Sequence, residues 1–181
     1  MNNGRTKVYL EDDNLVIRNA TVEDAKLLCS WWNDGKVMEH AGFPDGLGTT
    51  PETVATQLAE DDDKTHRRLI LEIDSVPVGE MNYRNKGNKT VEIGIKICNF
   101  AKQEKGFGTR FLRMLIGSLF DEQGYEKIIL DTNVKNTRAQ HVYEKLGFKQ
   151  VATRVNAWKN QHGELQSSID YELTPESFVR K

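Results

Sequence analysis

The chain has 181 residues, 38% of them apolar and 29% charged, with a net charge of −2. That length suits one domain, residues 1–181, able to bury roughly two-thirds of its unfolded surface without a metal or a disulfide to hold it. The charge balance argues against a nucleic-acid partner, and no stretch approaches the ~20 apolar residues that span a membrane.

Met1–Asp13 is polar, has no apolar signal core, and reads as a loose lead-in. Leu15-Val16-Ile17 is a first short strand, ending at Arg18. Thr21-Val22-Glu23-Asp24 resembles a capping box, and the helix after it carries Ala25, Leu28, Cys29 and Trp32 at helical spacing. Gly35 is expected to cap its C-terminus. Lys36–Pro51 is broken by Gly42, Pro44, Gly46 and Gly48; it is either a lid over a site or a plain connection. Thr50-Pro51 opens a second helix, with Val54, Leu58 and Gln57 facing inward. Glu60–Asp63 reads as a solvated helix end, its carboxylates too close in sequence to converge on a metal.

The pattern then changes to period two. Arg68–Ile73, Pro77–Tyr83 and Val91–Cys98 are strands joined by turns at Asp74-Ser75 and Asn85–Lys89, an antiparallel meander. Gly108–Glu122 is a long amphipathic helix with Phe111, Leu112, Leu115, Ile116, Leu119 and Phe120 on one face. Lys127–Thr132 is a compact apolar strand. Strand, helix and strand make a right-handed parallel unit, so the sheet is mixed. A helix over Asn136–Leu146, ended by Gly147, aligns Ala139, Val142, Tyr143 and Leu146. Phe148–Val155 and Gln166–Leu173 close the sheet as an antiparallel pair through Asn160–Gly163, and residues 175–181 read as a frayed tail. The fold class is α+β. Cys29 and Cys98 form neither a disulfide framework nor a zinc pattern, and a reducing cytoplasm suits them.

The chemistry gathers between Val91 and Glu122. An apolar strand runs into Gln103-Glu104-Lys105-Gly106-Phe107-Gly108-Thr109 and straight on into the long helix. Amides at a helix start have no intrahelical partner, and the helix dipole adds positive charge. Gly106 and Gly108 let a ligand come close to them. The arrangement suits a phosphate or pyrophosphate, although two glycines at a helix start are also common for structural reasons. The Walker and dinucleotide patterns do not fit: Gly108 is followed by Thr109 and Arg110, and no third glycine stands near Phe111.

Gln103-x-x-Gly106-x-Gly108 after a strand, then Asn136-x-x-Ala139-x-x-x-Tyr143-x-x-x-Gly147-Phe148 after the next, resemble the GNAT superfamily of acetyl-CoA-dependent N-acetyltransferases. The opening (IRNATVEDAKLLCSWWND) and the ending (WKNQHGELQSSIDYEL) are similar to its ribosomal-protein and aminoglycoside branch. The resemblance implies the GNAT fold: a central, mostly antiparallel sheet splayed at the CoA-binding strand and flanked by helices. It implies acetyl-CoA as co-substrate and an amine acceptor, a small molecule or a protein N-terminus, attacked directly in a ternary complex without a metal. The pyrophosphate would lie on Gln103, Glu104, Lys105, Gly106, Phe107, Gly108 and Thr109. The pantetheine arm would pair with Ile95, Lys96 and Ile97, near a bulge that Gly94 permits, and Asn136 would contact the arm or merely cap its helix.

Under the same resemblance Glu92 is the candidate base, otherwise a solvent-facing strand residue. Tyr143 is the candidate acid that protonates the leaving thiolate, otherwise a core tyrosine. Amides of Ile95–Ile97 would face the oxyanion. Trp31, Trp32 and Trp158 are candidates to wall the acceptor pocket, at least one being core. Asp34, Glu39, Asp45 and Glu80 are candidates to attract a cationic amine. Cys98 reads as a small buried residue, and the four histidines have no metal-ligand spacing. A non-catalytic acyl-CoA sensor or scaffold is the alternative function. The assembly is a monomer or a homodimer, the latter through an edge strand or the C-terminal hairpin.

Overall fold

The computed structural model describes residues 9–181. Eight strands form one sheet in the order β1-β2-β3-β4-β5-β6-β8-β7. They are β1 (Tyr9–Asp12), β2 (Leu15–Asn19), β3 (His66–Ile73), β4 (Val76–Gly87), β5 (Thr90–Ile97), β6 (Lys127–Asn133), β7 (Lys149–Lys159) and β8 (Leu165–Leu173). Every neighbouring pair is antiparallel except β5 and β6. The meander is pinned by two tight turns whose central residues take left-handed conformations: Asp74 and Ser75 (φ 52° and 65°), and Asn88 and Lys89 (φ 51° and 55°). Such turns match the right-handed twist of the flanking strands.

Among the described residues five α-helices flank the sheet: α1 (Ala25–Trp32), α2 (Gly35–Met38), α3 (Pro51–Ala59), α4 (Phe107–Asp121) and α5 (Thr137–Lys145). The main core lies on the α4–α5 face. Phe111, Leu115, Ile116 and Leu119 of α4 are fully buried there, against Met81, Tyr83, Val91 and Ile128 of the sheet. A smaller core on the other face packs Leu28 and Trp32 of α1 and Val54 and Leu58 of α3 onto Ile70. Strand β7 is exposed along nearly its whole length, with only Trp158 part-buried.

Several expectations need correction. Of the lead-in, residues 1–8 lie outside the described residues, but Tyr9–Asp12 is a strand paired with β2 through a turn at Asp13. Only Leu10 of it is part-buried, so no apolar alternation announces it. The 175–181 segment is docked rather than frayed. Phe178 is 8% exposed against Phe120, the Val179 N–H donates to Leu146 O at 2.9 Å, and Arg180 pairs with Asp121 at 2.7 Å. A single aromatic without periodicity gave no sign of this.

Gly35 does not end α1; it begins α2, with Asp34 accepting from the Lys36 N–H. Gln57 is exposed. The acidic run is not a solvated end either. Asp61 is 5% exposed and holds the Arg68 guanidinium and backbone N–H, and Asp63 pairs with the buried Arg67. Both Asp61 oxygens find partners on Arg68, which offsets the cost of burial, whereas Asp63 Oδ2 is buried with no hydrogen-bond partner among the described residues.

Candidate active site

β5 and β6 stay together for only three pairs: Thr90 with Lys127, Val91 with Ile128 and Glu92 with Ile129. Beyond them the strands part, leaving the backbone edge of Ile93–Ile97 without a strand partner on that side. A cavity of about 490 Å³ fills the gap. The expected splay is therefore present. Gly94 does not cause it, because it stays in register with Asn82, and the β4–β5 irregularity falls at Asn85/Gly87. The missing Cβ at Gly94 instead makes room for the Asn82 amide.

One end of the cavity is the glycine loop. Gln103 Nε2 donates to Ile97 O at 2.8 Å, tying the loop back to the strand it leaves. Glu104 (φ 60°) and Gly106 (φ 82°) are left-handed and turn the chain into α4. The first intrahelical amide is that of Arg110, donating to Gly106 O, so the amides of residues 107–109 precede the helix ladder. A Cβ at Gly108 would meet no protein atom within 4 Å. Open space, free amides and the positive end of α4 coincide here, which fits a pyrophosphate. Lys102 and Arg138, not singled out from the sequence, add positive charge to the lining. Neither stands in a motif; the loop and α5 meet only through the fold, where Arg138 lies 3.6 Å from Glu104.

Ile95, Lys96, Ile97, Gln103, Glu104, Gly106, Gly108, Thr109, Asn136 and Tyr143 all line the cavity. Lys105 and Phe107 do not; Phe107 packs against the core instead. Asn136 caps α5, accepting from the Ala139 N–H at 3.2 Å, and also lines the cavity. Glu92 stands on the last β5–β6 rung, at the closed end of the gap and outside the lining.

Tyr143 sits in the wall between the two ends. It is 6% exposed and its ring packs on Phe148 and Tyr171, 5.7 and 5.8 Å between centroids. Burial pushes its phenol well above the usual range, and the nearby Asp131 carboxylate adds to the shift. The phenol is therefore protonated at any ordinary pH. Among the described residues no group accepts from or donates to its hydroxyl. It is thus both the core tyrosine and a free donor facing the cavity.

The other end is roofed by Val37, His40 and Ala41 and walled by Asp131, Thr132, Trp158 and Ser168. Trp158 Nε1 donates to Ser168 Oγ at 2.9 Å. Of the three tryptophans, Trp158 lines the cavity, and Trp32 is core, donating to both Glu80 oxygens at 2.9 and 3.0 Å. Trp31 packs beside the α1–α3 core. None of Asp34, Glu39, Asp45 and Glu80 lines the cavity. Glu80 is held by Trp32 and Lys96, Asp45 by His162, and Asp34 by its capping role. The carboxylate on this wall is Asp131, paired with Arg154 at 2.9 Å. It faces the gap because β6 loses its β5 neighbour there, a long-range event that no local pattern signals. The Cys98 thiol is buried, and burial together with Glu80 raises its pKa far above the usual thiol range, so it is no nucleophile.

Residues 14–149 match the family description "Acetyltransferase (GNAT) domain". The chain belongs to the GNAT acetyltransferase family. An aminoglycoside N(6′)-acetyltransferase type 1 from Klebsiella pneumoniae is 25% identical over 158 residues, spanning 78% of this chain and 77% of that one. Among solved structures, a spermidine N-acetyltransferase from Vibrio cholerae in complex with CoA and spermine superposes with a TM-score of 0.79 at 20% identity. It covers 92% of this chain and 98% of its own. A GNAT-family acetyltransferase from Bacillus anthracis superposes at 0.77, also at 20% identity, over 93% of this chain and 99% of its own. The solved structures show the fold, and the family match assigns the activity: this acetyltransferase is an acetyl-CoA-dependent N-acetyltransferase, and its acceptor is an amine.

Proposed function

We propose that the enzyme acetylates a small primary amine bearing further positive charge, by direct attack in a ternary complex, with Tyr143 as the general acid. The observation that carries this reading is one continuous cavity. It runs from the glycine loop through the β5–β6 gap to Asp131, with the unpartnered Tyr143 hydroxyl in its wall. The two named relatives support it, since aminoglycosides and spermidine both carry several amino groups.

The residues fit acetyl-CoA. The helix start and Gly108 leave room for the pyrophosphate, and the free edge of Ile95–Ile97 offers backbone groups to an amide-rich arm. Bound there, acetyl-CoA supplies a thioester carbonyl for the amine to attack. The free amides of β5 point donors into the gap, suited to negative charge on a carbonyl oxygen. Tyr143 holds a proton at its hydroxyl for the departing sulfur. Burial keeps that proton on the hydroxyl, where it can hydrogen-bond the departing sulfur as negative charge develops there.

The acceptor must lose a proton first, because an alkylammonium has a pKa near about 10. Glu92 at the closed end of the gap takes it through water, while Asp131 on the wall steers the cation. A thiol-release assay with acetyl-CoA against monoamines, polyamines and N-terminal peptides tests the reading, with Tyr143→Phe, Glu92→Gln and Asp131→Asn beside the wild type. Turnover is expected with polyamines above monoamines and peptides. Asp131→Asn should narrow that preference, and Glu92→Gln should lower the rate at neutral pH, with less effect near about pH 10, where the amine no longer needs a base. No release with any acceptor, while acetyl-CoA still raises the melting temperature, would favour the non-catalytic acyl-CoA binder.

A further inference from the structure

The roof of the acceptor end and the β7–β8 hairpin are more than a hundred residues apart in sequence, yet they are joined at four points. The Gln161 backbone N–H donates to Gly42 O at 2.7 Å. Its side-chain Nε2 donates to Gly46 O at 3.0 Å, and its Oε1 accepts from the Asp45 N–H at 2.9 Å. His162 Nε2 lies 2.6 Å from Asp45 Oδ2. Three of the four contacts belong to one residue, Gln161, which presents a donor and an acceptor to two successive positions of the loop. Contact at the joint is close: a Cβ at Gly42 would come 2.4 Å from the Trp158 ring, so the bare glycine backbone lies directly on the indole.

Both sides of this joint reach the cavity. His40 and Ala41 immediately precede Gly42, and Trp158 precedes Gln161 by one short turn. The distance between roof and wall is therefore set where the hairpin tip grips the loop. The glycine loop and α4 make none of these contacts.

We propose that Gln161 is a positioning residue: it clasps the Gly42–Gly46 loop to the β7–β8 hairpin and so fixes the width of the acceptor mouth between His40 and Trp158. The proposal rests on the acetyl-transfer reading of the cavity. Gln161 touches neither substrate; it acts through the wall it holds in place. Truncating its side chain removes two of the four bonds and leaves the hairpin's own ladder intact, so the fold should survive.

The test compares Gln161→Ala with the wild type in two ways. Amide hydrogen exchange needs no acceptor. Residues 37–47 should exchange about fivefold faster or more in the variant, with α4 and α5 unchanged. Steady-state kinetics with spermidine as the acceptor should show its KM raised about five- to tenfold, with the KM for acetyl-CoA within about twofold of wild type. A merely structural role would raise both constants together or neither. Unchanged exchange over residues 37–47 overturns the clasp. Faster exchange with an unchanged acceptor KM overturns its bearing on the mouth. Failure of the wild type to acetylate any amine refutes the acetyl-transfer reading instead, and the exchange result then decides the clasp alone.

Discussion

The two ends of the cavity are built by different means. The donor end is local. Strand end, loop and helix start lie within residues 95–109, and their shape is held by short-range contacts such as Gln103 to Ile97, six residues apart. What it offers a ligand is mostly backbone: free amides, an unpaired strand edge, a helix dipole. The acceptor end is assembled from segments 115 to 117 residues apart, through side chains on a loop and a hairpin tip. A site made of main chain survives wide changes of side chain, whereas a site made of distant side chains can be re-cut by a few of them. The fold is accordingly shared at 20% identity with structures such as the spermidine N-acetyltransferase, and the acceptor end is where this chain can differ.

Tyr143 stands where the two ends meet, so its loss should have the largest effect. Tyr143→Phe keeps the ring packing on Phe148 and Tyr171 and removes only the hydroxyl. Steady-state assays should show kcat reduced by about 10²-fold or more, the usual worth of a positioned acid, with both KM values little changed. A raised acceptor KM at unchanged kcat would make Tyr143 a wall residue and remove it from the chemistry. Gly108→Leu separates the ends. Its side chain would enter open space beside the helix start, where the proposed pyrophosphate would lie. Acetyl-CoA KM should rise about tenfold, equivalent to about 1.4 kcal/mol, while the melting temperature holds or rises because leucine is the better helix former. If the acceptor KM moved in step, the two ends would not be independent.

Legibility in the sequence follows the same division. Strands β3 to β6 and α4 announce themselves through period-two and period-3.6 apolar patterns, and their positions fix the parallel step, whereas the splay follows only from the family resemblance. The glycine loop and Asn136-to-Gly147 segment are likewise contiguous. What the sequence hides depends on distance. Asp131 becomes a wall only because β6 leaves β5, and Glu80 is consumed by Trp32 and Lys96. Trp158 becomes a wall because the hairpin folds over the loop. Edge strand β1 and the docked Phe178 are silent for another reason: one has a single part-buried residue, Leu10, and the other is a lone aromatic.

The smallest effect concerns the ion pair in the clasp. His162 lies against Asp45 at 2.6 Å and Glu164 at 3.6 Å, and the Asp45 hydrogen bond and charge raise its pKa above the ordinary imidazole value. A folded pKa above the unfolded one means the pair's contribution is complete below about pH 6.5 and fades as pH rises through the folded value. Both side chains are half-exposed, so the contribution is modest and screened by salt. His162→Gln should therefore speed exchange of residues 42–46 relative to wild type at about pH 6 and leave it equal at about pH 9. Comparing the two proteins at each pH cancels the intrinsic pH dependence of exchange. A ratio that stays constant with pH would show that the imidazole acts as a neutral hydrogen-bonding group. The joint would then rest on Gln161 and on Trp158 beneath Gly42, and the acceptor mouth would keep one width across the working pH range.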